Sequence, residues 1–175
     1  RPAHLFEGAA QRLTIAIYLP SIVSELFSEK QLRWHVETRF YLFDNIVYRK
    51  SFSLGDAIFR YGNDVSKRIV NQYMHSLKPA ILDKPLNYYV ATTANNFIKA
   101  INIPPRYFSN DIPSNPSGWR CLQIGEDRYK QYVCLINSTI FYWLWKCSSD
   151  GFNLTTKFIS TYACLDNRFD SMCNI

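Results

Sequence analysis

Leu13-Thr14-Ile15-Ala16-Ile17-Tyr18-Leu19 is apolar at nearly every position. A strand with one wet face alternates polar and apolar side chains. A nearly unbroken apolar run instead suits a strand covered on both faces, as in the middle of an α/β sheet. Such a strand needs neighbours on both edges, and this chain offers few others. The run therefore predicts a fragment cut inside a larger domain, its missing strands upstream of Arg1, where the chain opens without an initiator Met.

Beyond Pro20, residues 21–30 place Ile22, Val23, Leu26 and Phe27 at helical spacing. Residues 31–50 mix Trp34, Phe40, Tyr41, Phe43 and Tyr48 with Arg33, Arg39, Arg49 and Lys50. A helix is predicted over 63–77, where Val65, Ile69, Tyr73 and Leu77 fall four apart. Asn63 and Asp64 suit its start, Lys78-Pro79 ends it, and Lys67 and Arg68 form a solvated face. Residues 86–94 are rich in Tyr, Val and Thr and read as a strand. Asn95-Asn96 reads as a turn and 97–103 as a second strand, which makes a β-hairpin. A proline-rich loop follows over 104–118, long enough to suggest a functional role. Residues 119–124 return as a strand. Residues 126–147 then read as one long amphipathic helix, with Tyr129, Tyr132, Val133, Ile136, Ile140, Trp143, Leu144 and Cys147 recurring three and four apart. A boundary between two regions is expected near 50–62.

Composition narrows the class. The chain has 175 residues, of which 47% are hydrophobic and 19% charged, so it can build a core and is not a disordered segment. Its net charge of +6 favours an anionic partner. No apolar run approaches the roughly 18 residues of a membrane span, and no cleavable signal is evident. Cys121, Cys134, Cys147, Cys164 and Cys173 are odd in number and lack a Cys-x-x-Cys pair. They read as reduced thiols of a cytoplasmic protein, with no metal site. Asn137-Ser138-Thr139 and Asn153-Leu154-Thr155 match the glycosylation triplet and would stay bare in that compartment.

Little here supports catalysis within the chain. His4, His35 and His75 are its three histidines. The sequence has no Gly-x-Ser-x-Gly, His-Glu-x-x-His or Gly-x-Gly-x-x-Gly motif. Asn102-Ile103-Pro104-Pro105-Arg106-Tyr107 departs from the Asn-Pro-Pro-Tyr loop of amino-methyltransferases, because Ile103 and Arg106 interrupt it. Charge is more informative. Residues 51–125 carry eight cations and four acids, whereas 126–175 balance at five of each. No acid lies between Asp83 and Asp111, where Lys84, Lys99 and Arg106 alternate with Tyr88, Tyr89, Phe97, Tyr107 and Phe108. Cations without competing carboxylates suit phosphate contacts, and aromatics can stack on bases. An ordinary hairpin with aromatics in its core would show the same composition.

Two segments carry a family resemblance. Arg1-Pro2-Ala3-His4-Leu5-Phe6-Glu7-Gly8-Ala9-Ala10-Gln11-Arg12-Leu13-Thr14-Ile15-Ala16-Ile17 resembles a late strand of the catalytic sheet in bacterial adenine-specific (N6) DNA methyltransferases of restriction–modification systems. Leu135-Ile136-Asn137-Ser138-Thr139-Ile140-Phe141-Tyr142-Trp143, followed by Ser149-Asp150-Gly151-Phe152-Asn153-Leu154, is similar to their target-recognition region. The resemblance implies an α+β chain: residues 1–50 a short remnant of the methyltransferase α/β sheet, residues 60–175 an incomplete target-recognition region of mixed α/β structure.

It also implies a function. Such enzymes extrude the target adenine from the duplex, and Phe6 matches the aromatic that stacks on it. The family's cofactor loop and Asn-Pro-Pro-Tyr motif would lie upstream. This chain is therefore expected to hold no catalytic residue and no cofactor, S-adenosylmethionine belonging to the parent enzyme, with or without a fused restriction nuclease. Its partners would be double-stranded DNA and the remainder of the methyltransferase chain, with self-association through an exposed sheet edge and no membrane. Lys84, Lys99, Arg106 and Arg120 are the candidate phosphate contacts. Asn95, Asn96 and Arg106 are the candidates for base edges, with Tyr107 beside them. Ser149, Asp150, Asn153 and Lys157 would approach DNA or merely cap the preceding helix. The rival classes are a stand-alone DNA-binding specificity module and a protein-interaction domain.

Overall fold

A computed structural model describes residues 17, 25–29, 36–41, 43–54, 57–60, 63–77, 84–94, 96–109, 112–114 and 117–163. The chain divides into two compact units, residues 1–67 and 68–175, a few residues beyond the expected boundary. Phe6 lies outside the described residues, as does the apolar run over 13–19 apart from Ile17. Ile17 itself is in no strand and is 82% exposed, unlike the buried position expected there.

In the first unit, β1 (Phe27–Ser28) pairs antiparallel with β2 (Arg49–Lys50), so the helical spacing over 21–30 does not produce a helix at Phe27. Short 3-10 turns span Val36–Tyr41 and Phe43–Asn45. β3 (Ser53–Leu54) pairs with β4 (Ala57–Ile58). Phe59 anchors this meander. Its buried ring stacks on Phe52 at 5.3 Å, and its carbonyl accepts from the hydroxyls of both Ser28 and Ser51.

The expected helix over 63–77 is present as α1 (Asp64–His75), and the Asn63 side chain caps it by accepting from the Ser66 N–H at 2.9 Å. Its inward stripe shares Tyr73 with the expected one and otherwise differs. Val70 and Tyr73 are buried with Ser76, while Val65 and Ile69 face solvent. Both sets have helical spacing; the buried one includes a serine whose hydroxyl is satisfied by the Gln72 carbonyl at 3.0 Å. Apolarity alone pointed to the neighbouring row.

The second unit is built on a three-stranded antiparallel sheet in the order β6–β5–β9, formed by β5 (Pro85–Ala91), β6 (Ala100–Ile101) and β9 (Trp119–Gly125). The expected hairpin of β5 and β6 exists, but β6 is reduced to two residues. The proline-rich segment is not featureless. It holds a second small hairpin, β7 (Tyr107–Ser109) with β8 (Ile112–Ser114), in which Pro113 opposes Phe108. Proline is compatible with so short a two-stranded ribbon because no further strand requires its missing N–H.

The single long helix expected over 126–147 is broken. A 3-10 turn (Glu126–Arg128) leads into α2 (Tyr129–Ile136), and α3 (Thr139–Ser148) starts afresh after Asn137. Ser138 is the cap of α3, its hydroxyl accepting from the Phe141 N–H at 3.2 Å. The break resets the helical phase. Tyr132 and Ile136 are buried on α2, but on α3 the buried row is Phe141, Leu144 and Trp145, and Ile140 is left exposed. α4 (Thr156–Tyr162) follows, capped by Thr155, and buries Phe158, Ile159 and Tyr162.

The core of this unit is rich in aromatic rings. Tyr88 meets Tyr132 edge-on at 5.3 Å, and Phe141 meets Phe158 at 5.5 Å. Buried hydroxyls need partners. Tyr132 donates to the Ile159 carbonyl at 3.5 Å and Tyr73 to the Tyr162 carbonyl, so two tyrosines hold the end of α4. Among the described residues no helix is long and apolar enough to cross a membrane.

Candidate nucleic-acid interface

Strand pairing sorts the sheet into two faces. Tyr88 opposes Leu122, Val90 opposes Ala100, and Leu86 opposes Ile124. This face is packed: Tyr88, Val90, Ala100 and Ile124 are buried, and the α2 residue Tyr132 lies against Tyr88. On the other face Asn87 opposes Gln123, Tyr89 lies between Ile101 and Cys121, and Ala91 opposes Trp119. Here Asn87, Cys121 and Gln123 are exposed, while Tyr89, Ile101 and Trp119 are half-buried. An antiparallel sheet with one packed and one open face shows this alternation.

The segment that builds the sheet is cationic by composition. Residues 84–125 contain Lys84, Lys99, Arg106 and Arg120 against Asp111 alone, and the three strands carry no acid. All four cations are exposed. The Ala91 N–H donates to the Lys99 carbonyl at 3.0 Å, which extends the sheet by one residue pair, and the Lys99 ammonium lies 5.1 Å from the centroid of the exposed Phe97 ring. Arg120 instead belongs to the packed-face register and donates to the Thr156 hydroxyl at 3.1 Å. Lys84 precedes β5 with φ of 45°, a left-handed conformation uncommon for a side chain of this kind, and its carbonyl accepts from the Glu126 N–H at 3.2 Å.

Of the candidate base contacts, Asn95 lies outside the described residues, and Asn96 is exposed at the connection between β5 and β6. Arg106 and Tyr107 sit at the start of the second hairpin, where Ile103, Tyr107, Phe108 and Ile112 are all more than half exposed. Burial, and then the neighbouring Cys121, push the Tyr89 hydroxyl up from its ordinary value. Burial does the same to Tyr129, whose hydroxyl donates to the Asn87 carbonyl at 3.3 Å.

The segment after α3 is largely engaged in structure. The Ser149 hydroxyl donates to the Trp145 carbonyl at 2.6 Å and accepts from the Gly151 N–H at 3.0 Å. One Asp150 carboxylate oxygen accepts from the N–H groups of Phe152 and Asn153 at 2.9 and 3.1 Å. Asn153 forms an isolated bridge with Thr93, and the buried Leu154 donates its N–H to the Thr92 carbonyl at 2.9 Å. Gly151 supplies the turn with φ of 65°, and Lys146 donates to its carbonyl at 3.1 Å. Of this group Lys157 is the side chain standing exposed on a helix surface, at the start of α4.

Sequence reasoning passed over Asn87, Tyr89, Trp119, Cys121 and Gln123 as a set. The usable signal was the alternation within 86–91 and 119–124, which assigns these residues to one face once the two strands are paired. Among the described residues no group of three or more His, Cys, Asp or Glu side chains could hold a metal ion. Comparison with known proteins adds no relative: no family model, no curated protein and no solved structure matches the chain.

Proposed function

We propose that the chain is the DNA-recognition portion of a site-specific adenine-N6 DNA methyltransferase of a restriction–modification system. The observation that carries the DNA reading is the surface built from residues 84–125. It combines an open sheet face with exposed Lys84, Lys99 and Arg106, in a stretch of sequence whose one acid is Asp111 and which the exposed Glu126 and Asp127 follow. Phosphates are drawn to such a surface, and the polar side chains on it are left to meet base edges.

The methyltransferase assignment rests on the resemblance of residues 1–17 and 129–157 alone. In the parent enzyme S-adenosylmethionine would donate the methyl group. This chain would contribute binding and register, and Phe6 a stacking surface for the extruded base. The experiment is methylation of duplex DNA by the parent protein, read as N6-methyladenine after nuclease digestion. Methylation that is sequence-specific, and whose site preference changes when residues 84–125 are exchanged, supports the assignment. DNA that stays unmethylated in the presence of cofactor contradicts it, while leaving duplex binding to be judged on its own.

A second reading has a specific observation behind it. The exposed Ile103, Tyr107, Phe108 and Ile112 are more apolar than phosphate contacts require and suit a protein-interaction face. Binding that is insensitive to salt would favour it.

A further inference from the structure

Asn87 and Gln123 are directly opposite each other in β5 and β9, exposed on the open face, and joined by a hydrogen bond from Gln123 Nε2 to Asn87 Oδ1 at 3.1 Å. That bond uses one Nε2 hydrogen of Gln123 and steadies its amide, which keeps a second Nε2 hydrogen and the acceptor Oε1. A single side-chain amide, with its own donor and acceptor, pairs with the N7 and N6 groups that adenine presents in the major groove. Tyr89 is the next residue along β5 on the same face.

The size of the sheet also fits. At Asn87 and Gln123 the sheet is only two strands wide, because β6 pairs no further than Tyr89, and a two-stranded ribbon is what the major groove admits. The neighbouring cations complete the match, with Lys99 extending the β6 side of the sheet and Lys84 preceding β5. No carboxylate on the three strands would repel a phosphate.

We infer that the open face of the β6–β5–β9 sheet enters the major groove of duplex DNA, with the Asn87–Gln123 pair reading an adenine in the recognised site. The inference deepens the duplex-recognition reading and depends on it. β-sheet readers of this kind take their specificity from side chains of alternate strand residues, with cations at the margins fixing register.

The test is selection from a pool of duplexes carrying a randomised segment, using the full chain, with affinities of the enriched duplexes then measured by fluorescence anisotropy. The unmodified chain is expected to enrich at least one A·T pair. Asn87→Ala and Gln123→Ala should lose about tenfold in affinity for that duplex while binding the unselected pool unchanged. Replacing the enriched adenine by 7-deazaadenine, which removes N7, should weaken the unmodified chain similarly and leave the double variant unaffected. Gln123→Glu should move the preference towards cytosine, whose amino group a carboxylate accepts. Both side chains are exposed, so thermal melting should be nearly unchanged in all variants. Two results would overturn the inference while sparing duplex binding: the same motif enriched by the variants, or equal losses on every duplex. Preference for single strands over duplexes, or no duplex binding by the unmodified chain, would overturn it together with the recognition reading.

Discussion

The Asn137 side chain exchanges two hydrogen bonds with the main chain of Ala100: its Oδ1 accepts from the Ala100 N–H at 2.9 Å, and its Nδ2 donates to the Ala100 carbonyl at 2.8 Å. Ala100 belongs to β6 and opposes Val90, so these two groups point away from β5. One amide side chain thus stands in for a fourth strand and closes the sheet edge at this residue. An unpaired edge is a template for association, so self-association through the sheet is blocked at Ala100. The same Nδ2 also donates to the Val133 carbonyl at 2.9 Å, which ties the end of α2 to the strand.

Asn137→Ala leaves both Ala100 groups without their partner. The expected loss is about 2 kcal/mol of unfolding free energy, from two hydrogen bonds of ordinary strength, together with an increased tendency to associate. Urea denaturation and light scattering measure the two effects. Stability within a few tenths of a kcal/mol of the unmodified chain would remove Asn137 from this role.

Lys84 combines a strained backbone with a candidate phosphate contact. Lys84→Asn places a residue tolerant of the left-handed region at φ of 45°. It is expected to raise stability by about 0.5–1 kcal/mol while weakening duplex binding several-fold. Thermal melting and anisotropy on the same sample separate the backbone effect from the charge effect.

Lys99 and Arg106 should behave as phosphate contacts. Replacing either with Ala is expected to weaken binding on all duplexes alike and to lower the slope of log K against log[salt] by about 1. Discrimination between sequences should persist. An affinity loss confined to one sequence would assign the residue to base reading instead.

Alkaline pH should destabilise the second unit. Burial, followed by the neighbouring Tyr132, pushes the Tyr88 hydroxyl far above its ordinary value of 10.0. The unfolded chain therefore releases this proton near pH 10 while the native chain retains it. The contribution is fully present below pH 10 and declines above it, by about 1.4 kcal/mol per pH unit for this one group. Tyr88→Phe should flatten the dependence, measured as urea midpoints between pH 9 and 11.

Much of the second unit was legible in the sequence, for identifiable reasons. Strands β5 and β9 announce themselves through alternation and Tyr, Val and Trp content, and Asn63 announces the start of α1. The break at Asn137-Ser138 was not legible, because both residues are tolerated within an apolar-periodic run and the Asn137 side chain is committed to a distant partner, Ala100. Once that break is missed, extrapolating the stripe selects Ile140 and Trp143 with Leu144, where the fold buries Phe141 and Trp145 with Leu144. The site was half legible for a similar reason. Charge and acid depletion point to Lys84, Lys99 and Arg106, but the Asn87–Gln123 pair exists only after two strands 36 residues apart are put in register. Ser149, Asp150 and Asn153 drew attention as polar residues after a helix, and the structure engages the Ser149 and Asp150 side chains with nearby main chain, while Asn153 is held through its main chain.

Titration of the chain with duplex DNA at about 50 and 200 mM salt tests the recognition claim most directly. Three phosphate contacts, from Lys84, Lys99 and Arg106, correspond to a log–log slope of about −2.7 and an affinity loss of about 40-fold across that range. A loss of that order, reduced stepwise as the cations are replaced, is the expected result. Absent binding, or an affinity indifferent to salt, would contradict the account.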